Sequence, residues 1–305
     1  MTPDCAEEKY TDIDRRRVRF IVAPPERAEG VEPARSRPLE LPTLLLHGLG
    51  CSGKVWMPTI REMARQGLEC PVVAPDMPGY GRSKGPRATL GIDELADWAV
   101  RFLDDRKLGR VHLAGNSMGC QVALALARRH PDRVGGVVLQ GATTGDRLVP
   151  PWRYTLGLLA DAFRESLKYN ARLSVMYVQM GMGRYMATVR KMLADDPIGN
   201  AGKVRAPVLV IRGGADAIVP DEVARHLTAA LPDAVYMPLD SAAHAIEYND
   251  PKDFATALVN FLGRAEEKLG IASGPAESGL LSDDQPTSTE RARSHATAAA
   301  VTTTI

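Results

Sequence analysis

The sequence predicts an α/β fold: a mostly parallel, twisted sheet with helices on both faces. Three observations predict it. Apolar runs such as LPTLLLHG and APVLVIRGG show no polar alternation, as strands covered on both faces do. Between such runs lie longer stretches whose apolar residues recur at helical spacing. A Gly-x-Ser-x-Gly pentapeptide joins one run to one stretch. Strand, helix, strand in this rhythm implies right-handed crossovers, with any ligand site at the carboxyl ends of the strands.

The elements follow in chain order. Residues 1–16 are polar and are expected to be flexible. The first strand is Val18–Ala23, and the four prolines within residues 24–40 mark a loop. Strands follow at Thr43–His47 and Val72–Pro75. Asp93–Lys107 is a helix, its inner face set by Leu95, Trp98, Ala99, Phe102 and Leu103. The strand Arg110–Gly115 leads into the helix Met118–His130, which stops before Pro131. After the strand Val134–Gln140, residues 143–205 offer no strand, only the helical pieces Leu156–Ala162, Leu173–Val178 and Tyr185–Leu193. The alternation resumes with the strand Val208–Arg212, the helix Asp221–Leu231, the strand Ala234–Pro238 and a helix from near Pro251. From Ile271 the chain is rich in Ser, Thr, Ala, Gly and Pro. The expected organisation is a core of residues 17–142 and 206–264, a helical cap of residues 143–205 inserted before the last two strands, and a disordered tail over residues 265–305.

Composition narrows the function. The 305 residues carry 38 basic and 37 acidic side chains, and the resulting net charge of +1 argues against a sequence-blind nucleic-acid binder. No apolar run approaches the roughly 18–20 residues of a membrane span, so no membrane association is expected. The N-terminus lacks a signal-peptide core, which points to the cytoplasm. Cys5, Cys51, Cys70 and Cys120 fall in no metal-binding or disulfide spacing, and no metal or organic cofactor is expected.

The chemistry centres on Gly115-Asn116-Ser117-Met118-Gly119, between a strand and a helix. A serine there adopts strained backbone angles, and crowding by neighbouring chains leaves room only for glycine at both flanks. Its hydroxyl sits at a helix N-terminus, where backbone N–H groups favour developing negative charge. Serine needs a base, and the base an orienting group. Of six histidines, His130, His226 and His295 read as solvated and His112 as a packed strand residue. His47 and His244 remain, and His244 follows the last strand in the position a base needs. Asp216 lies just past a strand end and is the preferred acid over Asp240 and Asp76. The order Ser117, Asp216, His244 follows from these choices.

With His47-Gly48-Leu49-Gly50, the Asp76–Ser83 segment, the serine turn, Gly213-Gly214-Ala215-Asp216 and His244 in this order, the chain resembles the α/β-hydrolase-fold proteins with a helical cap over roughly residues 17–264. The resemblance implies oxyanion donors at the Leu49 and Met118 backbone N–H groups, a loop-fixing role for His47, and a structural role for Asp76–Ser83. It implies acyl transfer: His244 takes the proton from Ser117, which attacks an ester-like carbonyl, and Asp216 holds the imidazole. His47, Gly48, Asn116, Met176 and Met180 are pocket candidates.

The substrate is expected to be a small ester-like molecule. Residues 143–205 carry ten basic and five acidic side chains, most simply a solvated surface. The sharper reading is an anionic or carrier-bound acyl substrate. The Gly-Asn-Ser-Met-Gly turn also resembles that of the carbon–carbon bond hydrolases acting on ring-cleavage products. Those enzymes usually have a further glycine where Cys120 stands, a tryptophan where Ala245 stands, and a His-Gly-x-Gly-Pro-Gly loop where this chain reads HGLGCSG. Carboxylester hydrolysis therefore ranks first. A lyase, cyclase or binding relative using the same pocket is the third reading. Oligomeric state is not legible.

Overall fold

The computed structural model describes residues 6–23, 39–66, 71–145 and 149–271. The chain opens with a hairpin of β1 (Glu7–Ile13) and β2 (Arg16–Ala23). Asp14 and Arg15 form its two-residue turn, both at positive φ, as the mirror-image turn favoured by twisted strands requires. Residues 7–16 are therefore ordered sheet, which corrects the expected flexible N-terminus. The error has a physical origin: EEKYTDI is an edge strand, held by backbone pairing with β2 and not by an apolar face.

Next come β3 (Thr43–Leu46), α1 (Met57–Arg65), β4 (Val72–Pro75), α2 (Ile92–Asp105), β5 (Val111–Asn116), α3 (Met118–Arg129) and β6 (Val134–Gln140). Four helices follow before the sheet resumes: α4 (Pro151–Asp161), α5 (Leu167–Met180), α6 (Met182–Leu193) and α7 (Pro197–Ala201). The chain then forms β7 (Val208–Gly213), α8 (Asp221–Ala230), β8 (Ala234–Leu239), α9 (Ile246–Asn249) and α10 (Pro251–Leu269). The last helix runs past residue 264, with Ala265 and Glu266 buried, so the expected tail begins too early. The remainder of that tail, and the proline-rich segment 24–38, lie outside the described residues.

The sheet order is β1-β2-β4-β3-β5-β6-β7-β8. β2 pairs antiparallel with β1 and β4; every other pairing is parallel. Side chains alternate between two buried faces. Leu44, Leu46, Val137, Leu139, Val208 and Val210 pack with α2, α3 and α8. Leu45, Val138, Leu209 and Ile211 pack with α1 and α10. Burial on both faces explains why these strands read as unbroken apolar runs.

The α4–α7 segment closes over the carboxyl end of the sheet. The Tyr177 ring lies so close to Gly50 that a Cβ there would fall 2.0 Å from it, and Arg184 presses on Gly79. Gly157 of α4 packs against the Ala217 carbonyl beyond β7.

Candidate active site

Ser117 stands alone between the last residue of β5 and the first of α3, at φ 53° and ψ −115°. For a residue with a side chain this is a strained conformation. Its glycine neighbours are sterically required. A Cβ on Gly119 would fall 2.1 Å from the Leu46 carbonyl oxygen, and one on Gly115 would fall 2.6 Å from the Gly119 carbonyl carbon. Ser117 is partly exposed among buried neighbours, and its N–H donates to the Gln140 carbonyl at 3.0 Å. Met118 opens α3, so its N–H has no acceptor within the helix.

The His-Gly loop lies against this turn. A Cβ on Gly48 would sit 2.5 Å from Asn116 Oδ1 and 3.4 Å from Ser117 Cβ. Cys51 N–H donates to the Gly48 carbonyl at 3.2 Å, closing a turn that carries Leu49. His47 is fully buried beneath it. Its Nε2 accepts from Met77 N–H at 3.1 Å, so Nδ1 carries the proton and donates to the Gly48 carbonyl at 2.8 Å. Burial pulls the His47 pKa down to about 4, and the ring stays neutral. With Nδ1 committed to the loop and Nε2 to the segment after β4, His47 is a fastening residue and not a pocket wall.

His244, in the loop after β8, places Nδ1 2.8 Å from Asp216 Oδ2. Asp216 Oδ1 accepts from Ile218 N–H at 2.8 Å and Val219 N–H at 2.9 Å, so the carboxylate is held from behind. Burial pushes the Asp216 carboxyl up, but the charge and hydrogen bond of His244, with those two N–H groups, outweigh it and leave it low. Burial disfavours the imidazolium of His244; Asp216, then Asp161 and Glu247, more than offset this and raise it to about 9. The rival Asp240 is exposed. Asp76 is buried in another role: it pairs with Arg19 and accepts from Gly53 N–H at 2.8 Å and Arg82 N–H at 2.7 Å.

Gln140, the last residue of β6, links the serine turn to the histidine loop. Its carbonyl holds Ser117, its Oε1 accepts from Asn116 Nδ2 at 2.8 Å, and its Nε2 donates to the His244 carbonyl. A polar residue ending the apolar run VVLQ was the available signal. Asn116 is buried, its amide divided between Gln140 and Glu247 Oε2 at 3.2 Å. It is a buried strut, which corrects its assignment to the pocket.

Three carboxyl groups that the sequence did not single out surround His244. Burial raises Glu247 to about 8 and Glu165 to about 7, and Asp161 is also raised. Glu165 accepts from Ala245 N–H at 2.7 Å and from Asn249. Asp161 and Glu165 reach the histidine loop from the helical insertion.

Of the methionine candidates, Met176 meets Ser52 Oγ at 3.8 Å beside the His-Gly loop. Met180 packs into the cluster of α2 and α3, which makes it core filler. His112 is a buried strand residue bonded to Glu266 at 3.0 Å and to Gly136 N–H at 2.8 Å. His130 is not merely solvated but bonds Asp97 at 2.9 Å. Cys51 and Cys120 are both buried free thiols. No cluster of metal-ligating side chains occurs among the described residues, and none of their helices is long and apolar enough to cross a membrane.

Comparison with known proteins agrees with this architecture. The family described as alpha/beta hydrolase fold matches residues 42–187. A 2-hydroxymuconate semialdehyde hydrolase from Pseudomonas putida is 31% identical over 253 residues, 74% of this chain and 88% of that protein. A 2-hydroxy-6-oxononadienedioate/2-hydroxy-6-oxononatrienedioate hydrolase from Paraburkholderia phymatum is 30% identical over 251 residues, 72% of this chain and 86% of that protein. Among solved structures, the enol-lactonase from Burkholderia xenovorans superposes with a TM-score of 0.65 at 24% identity, covering 84% of this chain and 100% of that one.

Proposed function

Because the chain belongs to the alpha/beta-hydrolase fold family and is a hydrolase, we propose that it acts through a Ser117–His244–Asp216 triad and opens an ester-like acyl bond. The observation that carries this reading is the buried His244–Asp216 contact at 2.8 Å, with Gln140 joining the loop of that histidine to the turn that holds Ser117 at positive φ on a helix N-terminus.

In its neutral form, with Nδ1–H donated to Asp216, the imidazole has Nε2 free to take the Ser117 proton, and because its pKa is raised to about 9 that form, and turnover with it, grows as pH rises toward that value. Ser117 Oγ attacks the carbonyl carbon, and the oxyanion forms between the Leu49 and Met118 N–H groups, each worth about 3–4 kcal/mol in such a role. The proton on His244 passes to the leaving alcohol. Water, deprotonated by His244, then releases the acid and restores Ser117. Asp216 keeps the imidazole in the productive tautomer throughout. Residues 143–205 serve as the cap.

Electrostatics favour a neutral acyl substrate. The acidic residues of α4 and the α4–α5 connection, Asp161 and Glu165, are turned inward to His244, while Arg164 and Lys168 are exposed. Lys168 thus faces solvent and Arg164 is committed to the Ala215 carbonyl at 2.8 Å, so these two cations do little for an anionic substrate in the site. A second reading rests on the two curated relatives, whose names give hydrolysis of ring-cleavage products. The same groups would serve attack on a ketone carbonyl, with the carbon–carbon bond breaking toward a substrate able to accept the electron pair.

Activity on a panel of p-nitrophenyl esters, measured beside a ring-cleavage dienoate, separates the two bonds. Labelling by a fluorophosphonate, abolished in Ser117→Ala, tests the nucleophile. Turnover of the dienoate alone would replace the ester reading with the carbon–carbon one. An unlabelled wild type would end both.

A further inference from the structure

Helices α4 and α5 are apolar on the side away from the protein. Trp152, Leu156, Leu159 and Phe163 recur at helical spacing and are exposed, Phe163 at 93%. Leu167, Val175 and Val178 continue the exposed surface along α5, Leu167 at 89% and Val178 at 82%. The inner sides are accounted for: Tyr154 packs on Val149, Ile218, Val219 and Val223, while Tyr169 meets Ala245 and Tyr248. The outer stripe is therefore not core, and all but one of the exposed large apolar residues of the described structure lie between 152 and 186.

The exposed charges that these helices themselves carry are of one sign. Residues 151–194 contain Arg153, Arg164, Lys168, Arg172, Arg184, Arg190 and Lys191. Their only acids, Asp161 and Glu165, are buried at 6% and 7% exposure and committed to the histidine loop. Arg153 and Lys191 pair with Glu222 and Glu94. The prow of the surface, Phe163-Arg164-Glu165-Ser166-Leu167-Lys168, thus offers two solvent-facing apolar side chains beside two cations and no exposed acid.

We propose that this face docks on an anionic lipid surface. Apolar side chains buried at the headgroup boundary, with cations drawn to anionic lipid, define interfacial binding without a spanning segment. A second copy of the chain fits less well, since a symmetric contact would set cations against cations. The absence of a membrane span in the sequence bears only on insertion, not on surface docking.

The full chain is sedimented with vesicles of phosphatidylcholine alone and of phosphatidylcholine and phosphatidylglycerol in equal parts. Expected is about tenfold greater retention on the mixed vesicles, falling with added salt. Phe163→Ser and Lys168→Glu, both at exposed positions, each lower it several-fold while leaving the circular dichroism spectrum and turnover of a soluble ester unchanged. Ser117→Ala binds like the wild type, so the docking result stands apart from the proposed chemistry. Equal retention on both vesicles, or none on either, overturns the proposal. A free chain that sediments as a dimer, dissociated by Phe163→Ser, would assign the face to a second copy and overturn it too.

Discussion

Replacing Asp216 with asparagine changes a charge and a proton position together, and the structure fixes which way the new amide points. Oδ1 accepts from Ile218 and Val219 N–H at 2.8 and 2.9 Å. The asparagine oxygen must stay there, because its NH2 would leave two buried N–H groups facing a donor. The NH2 then points at His244 Nδ1, which has to become an acceptor. The ring proton moves to Nε2, toward Ser117, and the base is blocked. Losing the carboxylate 2.8 Å away also removes an attraction of about 6 kcal/mol at an effective dielectric of about 20, before desolvation is counted. The expected loss in kcat is about 10³–10⁴-fold, the upper end being what the same substitution costs a serine protease whose geometry stays intact. Steady-state turnover of the best p-nitrophenyl ester measures it, with fluorophosphonate labelling slowed in parallel and the fold checked by thermal unfolding. A loss below tenfold, or an equal loss in Asp240→Asn, would refute the assignment of Asp216.

Two further outcomes are expected. Asp76→Ala strands the buried Arg19 guanidinium and frees the Gly53 and Arg82 N–H groups, so the urea midpoint should report a loss of about 3–5 kcal/mol; an unchanged midpoint would mean Glu8 alone suffices for Arg19. Stability should also fall as pH rises from near neutrality: His244, raised to about 9 from 6.5, holds its proton in the folded state after the unfolded chain has lost it, and Glu247, raised to about 8 from 4.5, does the same from lower pH. Urea melts across pH 6–9 follow this. Glu247→Gln should flatten the decline, and an unaltered slope would remove Glu247 as its source.

The parallel core was legible because strands buried on both faces have no polar alternation to obscure them. The serine turn was legible because its glycines answer a local steric demand that the structure shows at Leu46 and Gly119. β1 was not legible, since an edge strand needs only backbone pairing, and its Glu8 serves exposed ion pairs with Lys54 and Arg82. The buried carboxyls were hidden for a different reason. Periodicity finds α4 but does not say which side is inside, and here the apolar stripe faces out while Asp161 faces in. Glu247 falls before the last expected helix and Glu266 within the expected tail, and only their distant partners Asn116 and His112 reveal their buried roles.

Gln140 carries a consequence for how such a protein can diversify. One residue at the end of a core strand ties the backbone of Ser117 to that of His244, and Asp216 is fixed by its own loop. The spacing of the three groups is therefore set by the sheet and its loops, with the inserted helices left to adjust the surroundings. Residues 143–205 could be exchanged for another helical segment, by recombination or in the laboratory, provided it keeps a buried acceptor where Glu165 meets the Ala245 N–H. Selection on substrate range is thereby uncoupled from selection on chemical competence.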